Sequence, residues 1–420
     1  VQELKSLNPL QHPEWGVRVV FAVVYVGMFL GGLPRLRLDR AGIALLGAIA
    51  VMPITGLSVR EAAESVDLPT LVLLFAFMVI SAQLRLGGFY TAATQRVGSL
   101  PIRPRGLLAA LILVAGGLSA VFSNDVICLA MTPVVARLCL QRGLPPLPFL
   151  VGLACAANIG SAATLIGNPQ NMLIGSVLRI PFADYARQAL PPVLLSLGLL
   201  WLWLARSLPR PLQALPAGQP LAGEPAFDRW QTLKGLGVAL TLMTVFLFSA
   251  VPHELAALIG AAVLLMSRRL HSAEVMGFVD WQLLLLFIGL FVVNHAFQQT
   301  GLAVEAVNWL GQQGLRLEQP AVLAVAAVLL SNLVSNVPAV MLLLPHLGAD
   351  PQSAGLLLAL LSTLAGNLLL VGSIANLIVV DLAARQGIRI DWRSHLRLAA
   401  PAAAATLLVS AAWLLFTRGS

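Results

Sequence analysis

A polytopic, all-α membrane protein is the fold class this sequence predicts, and three observations carry the prediction. Of 420 residues, 58% are apolar and only 10% are charged. The mean hydropathy is +0.88. A soluble chain of this length needs far more polar surface, which excludes soluble, disordered and nucleic-acid-binding classes. The apolar residues form long unbroken runs and not short alternating segments, so an outer-membrane barrel is excluded as well. Helices, which satisfy their own backbone groups in lipid, remain. The net charge of +8 is no partner signal, because basic residues in such chains mostly anchor cytoplasmic loops. Only Lys5 and Lys234 among the 26 basic residues are lysine.

Apolar runs fall at roughly 17–33, 41–57, 68–86, 190–205, 233–251, 255–267, 281–298 and 396–417. Each is about long enough to cross a bilayer, with 255–267 the shortest. No small-residue cleavage site follows the first run, which predicts a retained helix and not a signal peptide. The first residue is valine, which points to a trimmed start. The three cysteines, Cys128, Cys139 and Cys155, lie in apolar stretches and read as small hydrophobes, not as a disulfide framework.

Two further runs are too long for one crossing and too short for two. Gly106 to Ala136 has 31 residues and one charge, Asp125. Gln319 to Ala349 also has 31 residues, with only His346 ionisable. Two crossings need roughly 40 apolar residues, so each run fits a re-entrant helical hairpin. The turns are Ser123-Asn124-Asp125 and Ser335-Asn336-Val337-Pro338. Each hairpin is followed by an uncharged run with a Gly/Asn-rich interruption, Gly167-Asn168-Pro169-Gln170-Asn171 in one case and Gly372-Ser373-Ile374-Ala375-Asn376 in the other. Such clusters inside apolar runs mark broken helices that line a cavity.

The halves repeat. Glu61 matches Glu274, Asp67 matches Asp280 and Gly88 matches Gly301, all offset by 213. Asn124 and Asn336 differ by 212, and Gly167 and Asn171 match Gly372 and Asn376 at 205. The expected organisation is a first repeat over 1–205, with a hairpin at about 106–136 and a broken helix at about 148–178. A cytoplasmic linker follows at 206–232, then a second repeat over 233–420, with a hairpin at about 319–349 and a broken helix at about 354–384. Five crossings and one hairpin per repeat make the second repeat inverted. Under that topology 19 basic residues fall on one side and 7 on the other. The positive-inside bias then places both termini and the 299–318 loop outside a bacterial inner membrane.

With these features the chain resembles the ion transporter superfamily. That group includes arsenite permeases, NhaD-type sodium/proton antiporters, the melanosomal P-protein and divalent anion/sodium symporters. Phe122-Ser123-Asn124-Asp125 with Thr132-Pro133, and Asn158-Ile159-Gly160 through Gly167-Asn168-Pro169-Gln170-Asn171, look most like the arsenite-permease and anion-transporter branch. The resemblance covers nearly the whole chain and implies an elevator motion. Symporter tips read Ser-Asn-Thr, whereas the third positions here are Asp125 and Val337, a departure from a dicarboxylate site.

The candidate substrate or ion ligands are Ser123, Asn124, Asp125, Asn158, Thr164, Gly167, Asn168, Asn171, Ser335, Asn336, Asn367, Gly372, Ser373 and Asn376. Half-helix starts attract anions and freed carbonyls attract cations, so sodium at the tips is a candidate ligand. The plainer readings are helix capping for the tip asparagines and interhelical hydrogen bonds for the others. Ser331 and Asn332 read as support one turn before the second tip. Asp125 is costly in lipid, which points to an aqueous cavity and a coupling role; its plainer reading is a carboxylate bonded to backbone N–H groups. Asp381 is a second candidate for coupling, or a charge at the interface. His295 and His346 read as interface or packing residues.

No Walker A loop, Gly-x-Ser-x-Gly elbow or His-Glu-x-x-His motif occurs, which predicts a transporter and not an enzyme. No cofactor is expected, only a coupling proton or sodium ion. Expected partners are a small inorganic ion or oxyacid and the lipid bilayer, without nucleic acid; a homodimer and a separate ATPase remain open. The expected function is secondary active transport of an anion or arsenite-like oxyacid, with sodium/proton antiport as the alternative and a channel or intramembrane hydrolase behind it.

Overall fold

The computed structural model describes residues 13–32, 38–208 and 227–418. Within them the chain is helical throughout, with no strand. Most of the 206–232 linker, the positions of Lys5, Arg35, Arg37 and Arg210, and the extreme termini lie outside the described residues.

The first half runs α1 (Pro13–Leu30), α2 (Arg40–Thr55), α3 (Val59–Glu64), α4 (Leu68–Leu86), α5 (Phe89–Gly98), α6 (Pro104–Val121), α7 (Asn124–Gln141), α8 (Pro146–Ser161), α9 (Pro169–Leu178) and α10 (Phe182–Leu204). The second half passes through the same order: α11 (Arg229–Phe248), α12 (His253–Leu265), α13 (Ser272–Met276), α14 (Trp281–Gln299), α15 (Leu302–Gln312), α16 (Pro320–Val334), α17 (Asn336–Leu343), α18 (Pro351–Ala365), α19 (Ile374–Ala384) and α20 (Trp392–Arg418). Among the described residues, seven helices are long and apolar enough to cross a membrane by length and composition, so the chain is a multi-pass membrane protein.

Local chemistry sets the same boundaries in both halves. Asp67 and Asp280 cap α4 and α14, accepting from Thr70 N and Leu283 N at 2.9 Å each. Gly88 and Gly301 turn the chain after those helices at φ +72° and +75°, where a side chain is disfavoured. Prolines 104, 146, 320 and 351 sit in the first turns of α6, α8, α16 and α18, where a missing N–H is harmless. Pro104, Pro146 and Pro351 start their helices two or three residues ahead of the apolar runs read from sequence, and α6 and α7 together cover 104–141. The region 302–312, read from sequence as part of a loop, is helical. It and α5 were hidden because helices of 11 and 10 residues leave no long apolar run.

The halves interlock. α2 packs on α14 and α12 packs on α4, while α10 lies against α20. A Cβ on Gly289 would stand 2.5 Å from the Ala44 carbonyl carbon, so α14 meets α2 backbone to backbone. α6 and α8 meet similarly, with Gly160 against Gly116. In α8 every residue from Pro148 to Ser161 is buried.

Candidate functional site

Two interruptions face each other at the centre. α8 stops at Ser161 and α9 restarts at Pro169; α18 stops at Ala365 and α19 restarts at Ile374. The restarts are capped from positions offset by 205: Asn168 Oδ1 accepts from Asn171 N at 2.9 Å, and Ser373 Oγ accepts from Ala375 N at 3.2 Å. At the same offset, Asn171 Nδ2 donates to Thr164 O at 3.0 Å and Asn376 Nδ2 donates to Leu369 O at 3.2 Å. Each amide spans its own break and holds it in shape.

The breaks are also tied to one another. Asn158 is fully buried and central. Its Oδ1 accepts from Asn124 Nδ2 at 2.8 Å and from Ser373 Oγ at 3.1 Å. Its Nδ2 donates to Asn367 Oδ1 at 2.8 Å and, at a longer 3.4 Å, to Asn376 Oδ1. The counterpart contact lies on the other side: Asn168 Nδ2 donates to Thr363 Oγ1 at 3.3 Å, and Gln170 Nε2 donates to the same hydroxyl at 3.0 Å. Thr363 is Asn158 shifted by 205, and Ser373 is Asn168 shifted by 205. The first half supplies the amide and the second the hydroxyl in both pairs; the amide accepts at Asn158 and donates at Asn168.

The hairpin corners abut this seam. Asn124 N donates to Gly167 O at 3.2 Å. Thr164 Oγ1 donates to Ala120 O at 2.5 Å, fixing the first break to α6. Asn332 Nδ2 donates to Ala365 O at 3.0 Å, fixing the second break to α16. Asn336 is buried, and its Nδ2 lies 3.2 Å from where a Cβ on Gly366 would stand. A Cβ on Gly372 would stand 2.8 Å from Asn332 Oδ1. The corners differ in backbone: Ser123 is extended, whereas Ser335 has φ +77° and ψ 161°, a region that glycine occupies readily. For serine that conformation costs on the order of 1–3 kcal/mol.

Several buried oxygens at the seam have no hydrogen-bond partner among the described residues: Asn124 Oδ1, Asn171 Oδ1, Asn332 Oδ1, Asn336 Oδ1 and one oxygen of Asp125. Asp125 lines a cavity of roughly 100 Å³ with Ser81, Arg85, Ser123 and Asp280. The Arg85 guanidinium rests on the Phe278 ring at 4.6 Å. A neighbouring cavity of about 330 Å³ shares Asp280 and Leu283 and continues past Arg40. Asp125 thus borders a space lined by polar groups, and among the described residues no backbone N–H is bonded to its carboxylate.

The structure brings together Asn124, Asn158, Asn168, Asn367, Ser373 and Asn376, with Thr164, Gly167 and Asn171 bracing one break and Gly372 the other. It does not bring in Asp381, which is exposed and paired with Arg385 at 2.7 Å. Sequence reasoning missed Gln170 and Thr363, and Ser161, whose Oγ accepts from Asn168 Nδ2 at 2.9 Å. Sliding the 205-residue offset from Asn158 would have found Thr363.

Comparison with known proteins gives this arrangement its relatives. The silicon efflux transporter LSI3 of Oryza sativa subsp. japonica is 30% identical over 435 residues, covering 87% of this chain and 90% of that protein. A Mycobacterium tuberculosis transporter is 29% identical over 430 residues, covering 94% and 98%. The putative transporter arsB of Dictyostelium discoideum is 21% identical over 490 residues, covering 89% and 87%. Among solved structures, the Alcanivorax borkumensis YdaH transporter shares the fold at TM-score 0.58 and 16% identity, covering 98% of both chains. A family model described as citrate transporter matches residues 25–360. A multi-pass helical chain with this match over most of its length belongs to the citrate transporter family, within the ion transporter superfamily, and is a membrane transporter and not an enzyme.

Proposed function

We propose that this chain is a secondary active transporter of a small inorganic oxyacid, carried as its neutral, hydroxylated form and coupled to a proton or sodium gradient. The observation that carries the reading is the set of unpartnered amide oxygens at Asn124, Asn336 and Asn171. An amide oxygen only accepts hydrogen bonds, so it suits a ligand that presents O–H groups. An ionised oxyanion would set acceptor against acceptor there, and Asp125 would repel it while charged. The seam's own hydrogen bonds come from amide, hydroxyl and backbone groups. The names of the rice and Dictyostelium relatives fit this substrate class.

Uptake by proteoliposomes tests the proposal, using silicic acid, arsenous acid, sulfate and citrate under imposed pH or sodium gradients. Accumulation of a neutral acid is expected; accumulation of only sulfate or citrate would sink the reading. In the same assay Asp125→Asn is expected to keep substrate exchange but lose its response to the driving gradient. The amide keeps the size and hydrogen-bonding capacity of the carboxyl and cannot titrate. Gradient-driven accumulation by that variant with an unchanged pH and sodium profile would assign Asp125 to structure.

The second reading is sodium/proton antiport. It is favoured by the same oxygens, which also suit a hard cation. Sodium-driven proton flux without uptake of any acid would select it.

The mechanism we infer is an elevator, with hairpins and broken helices carrying the site past the remaining spans. The repeated order of ten helices supports two repeats, and an odd number of crossings in each makes them inverted. In a bacterial inner membrane, both termini then lie outside, with the 206–232 linker in the cytoplasm. Single cysteines at 251 and 268 test the orientation with an impermeant thiol reagent on intact cells. Position 251 should label and 268 should not; the reverse would invert the topology.

A further inference from the structure

Two buried side chains outside the seam occupy matching places. Tyr185 on α10 is 1% exposed and His395 on α20 is 2% exposed. Tyr185 OH donates to Ala162 O at 2.9 Å. His395 Nε2 lies 3.3 Å from Asn367 O. Ala162 and Asn367 are the same position in the 205-residue register, just past the end of α8 and of α18. A carbonyl oxygen only accepts, so the His395 contact requires the proton on Nε2.

We propose that Tyr185 and His395 are paired positioning residues, each clamping a freed carbonyl of one helix break from the last helix of its half. A broken helix leaves carbonyls that no intrahelical amide can reach, and in a buried setting each needs a donor. Ring donors suit the task because a ring has two side-chain torsions and reaches a fixed distance. Tyr185 extends its clamp further: its oxygen accepts from Asn171 Nδ2 at 2.9 Å, so one hydroxyl joins the break to the capped restart of α9. In the second half, Asn376 reaches the backbone directly, donating to Gly366 O at 2.8 Å. His395 is therefore left with the carbonyl of Asn367, whose side chain accepts from Asn158. Loss of the His395 donor would let Asn367 drift and misplace the central amide pair without touching the seam.

The consequence for transport rests on the seam being the transport site; the clamp itself does not. Hydrogen–deuterium exchange on the purified full chain reads the clamp directly. His395→Phe keeps a ring and removes the donor, and should speed exchange over residues 366–373. His395→Gln offers an N–H at similar reach and should restore protection. Tyr185→Phe should speed exchange over 162–168 in the same way, independently of whether the His395 variants fold. With arsenous acid as probe, His395→Phe should raise KM by roughly tenfold, the size expected for a small misplacement of a binding group, with less change in maximal rate. His395→Gln should recover most of it. Unchanged exchange in both phenylalanine variants, or exchange in His395→Gln as fast as in His395→Phe, overturns the assignment. Normal exchange responses in a protein that transports none of the tested acids would leave the clamp standing and remove only the transport reading.

Discussion

Asn158→Leu is expected to abolish transport while leaving a folded, membrane-inserted protein. Leucine has as many side-chain heavy atoms as asparagine, branched at the same carbon, but carries no polar atoms. The substitution strips partners from Asn124, Ser373, Asn367 and Asn376 together. In a membrane protein such bonds average roughly 0.6 kcal/mol each, because the unfolded chain also finds partners in lipid, so the stability loss should be about 2–3 kcal/mol. The loss of function should be much larger. Under the proposed function the displaced amides lose their alignment on the substrate, and misplacement of binding groups by about 1 Å can cost roughly 100-fold in rate. Initial uptake rates and thermal unfolding in detergent separate the two effects. Uptake near the wild-type rate would show that the seam holds the fold together without taking part in transport.

Gly167→Ala should do greater damage to the fold. The added Cβ would stand 2.2 Å from Ser161 O and 2.8 Å from Ser119 O, with Ser161 Cα at 2.7 Å. All three are backbone atoms, so no side-chain rotation relieves the clash. The first break must open, and the bond from Asn124 N to Gly167 O goes with it. A cost of about 3 kcal/mol or more is expected, at the upper end for overpacking. Gly117→Ala is the matched control: it lies on α6 with nothing within 4 Å of its would-be Cβ. There alanine should be neutral or stabilising by up to about 1 kcal/mol through helix propensity. Comparable unfolding temperatures for the two variants would mean that the close approach at Gly167 is not a packing requirement.

The long apolar runs and the Gly/Asn interruptions were legible because membrane solvation leaves few alternatives for them. Charges cannot sit mid-span, and a break in an apolar helix must be made of residues that cap or turn. Hence Asn124, Asn158, Asn168, Asn171 and Asn376 stand out in sequence and stand together in space. Ser161 was not legible, and Thr363 only through its 205-residue match to Asn158, since hydroxyl residues are ordinary in membrane helices and commonly bond within their own turn. Tyr185 and His395 lie on different helices from the carbonyls they serve, and no spacing rule links them. Asp381 drew attention as a lone charge after a break, but its arginine one turn along already accounts for it. The helix over 302–312 lacked any apolar run to announce it.

The crossed pairing at the seam has a kinematic consequence. Asn158 grips Ser373 and Asn367 of the other half, while Thr363 is gripped by Asn168 and Gln170. Two bodies joined at several points around a centre keep few relative degrees of freedom. Sliding one broken helix past the other by a single residue, about 1.5 Å of rise, would carry these donors off their acceptors together. A displacement shared by both helices strains none of them. The low-cost coordinate at the centre of this molecule is therefore common travel, in which the two breaks behave as one part.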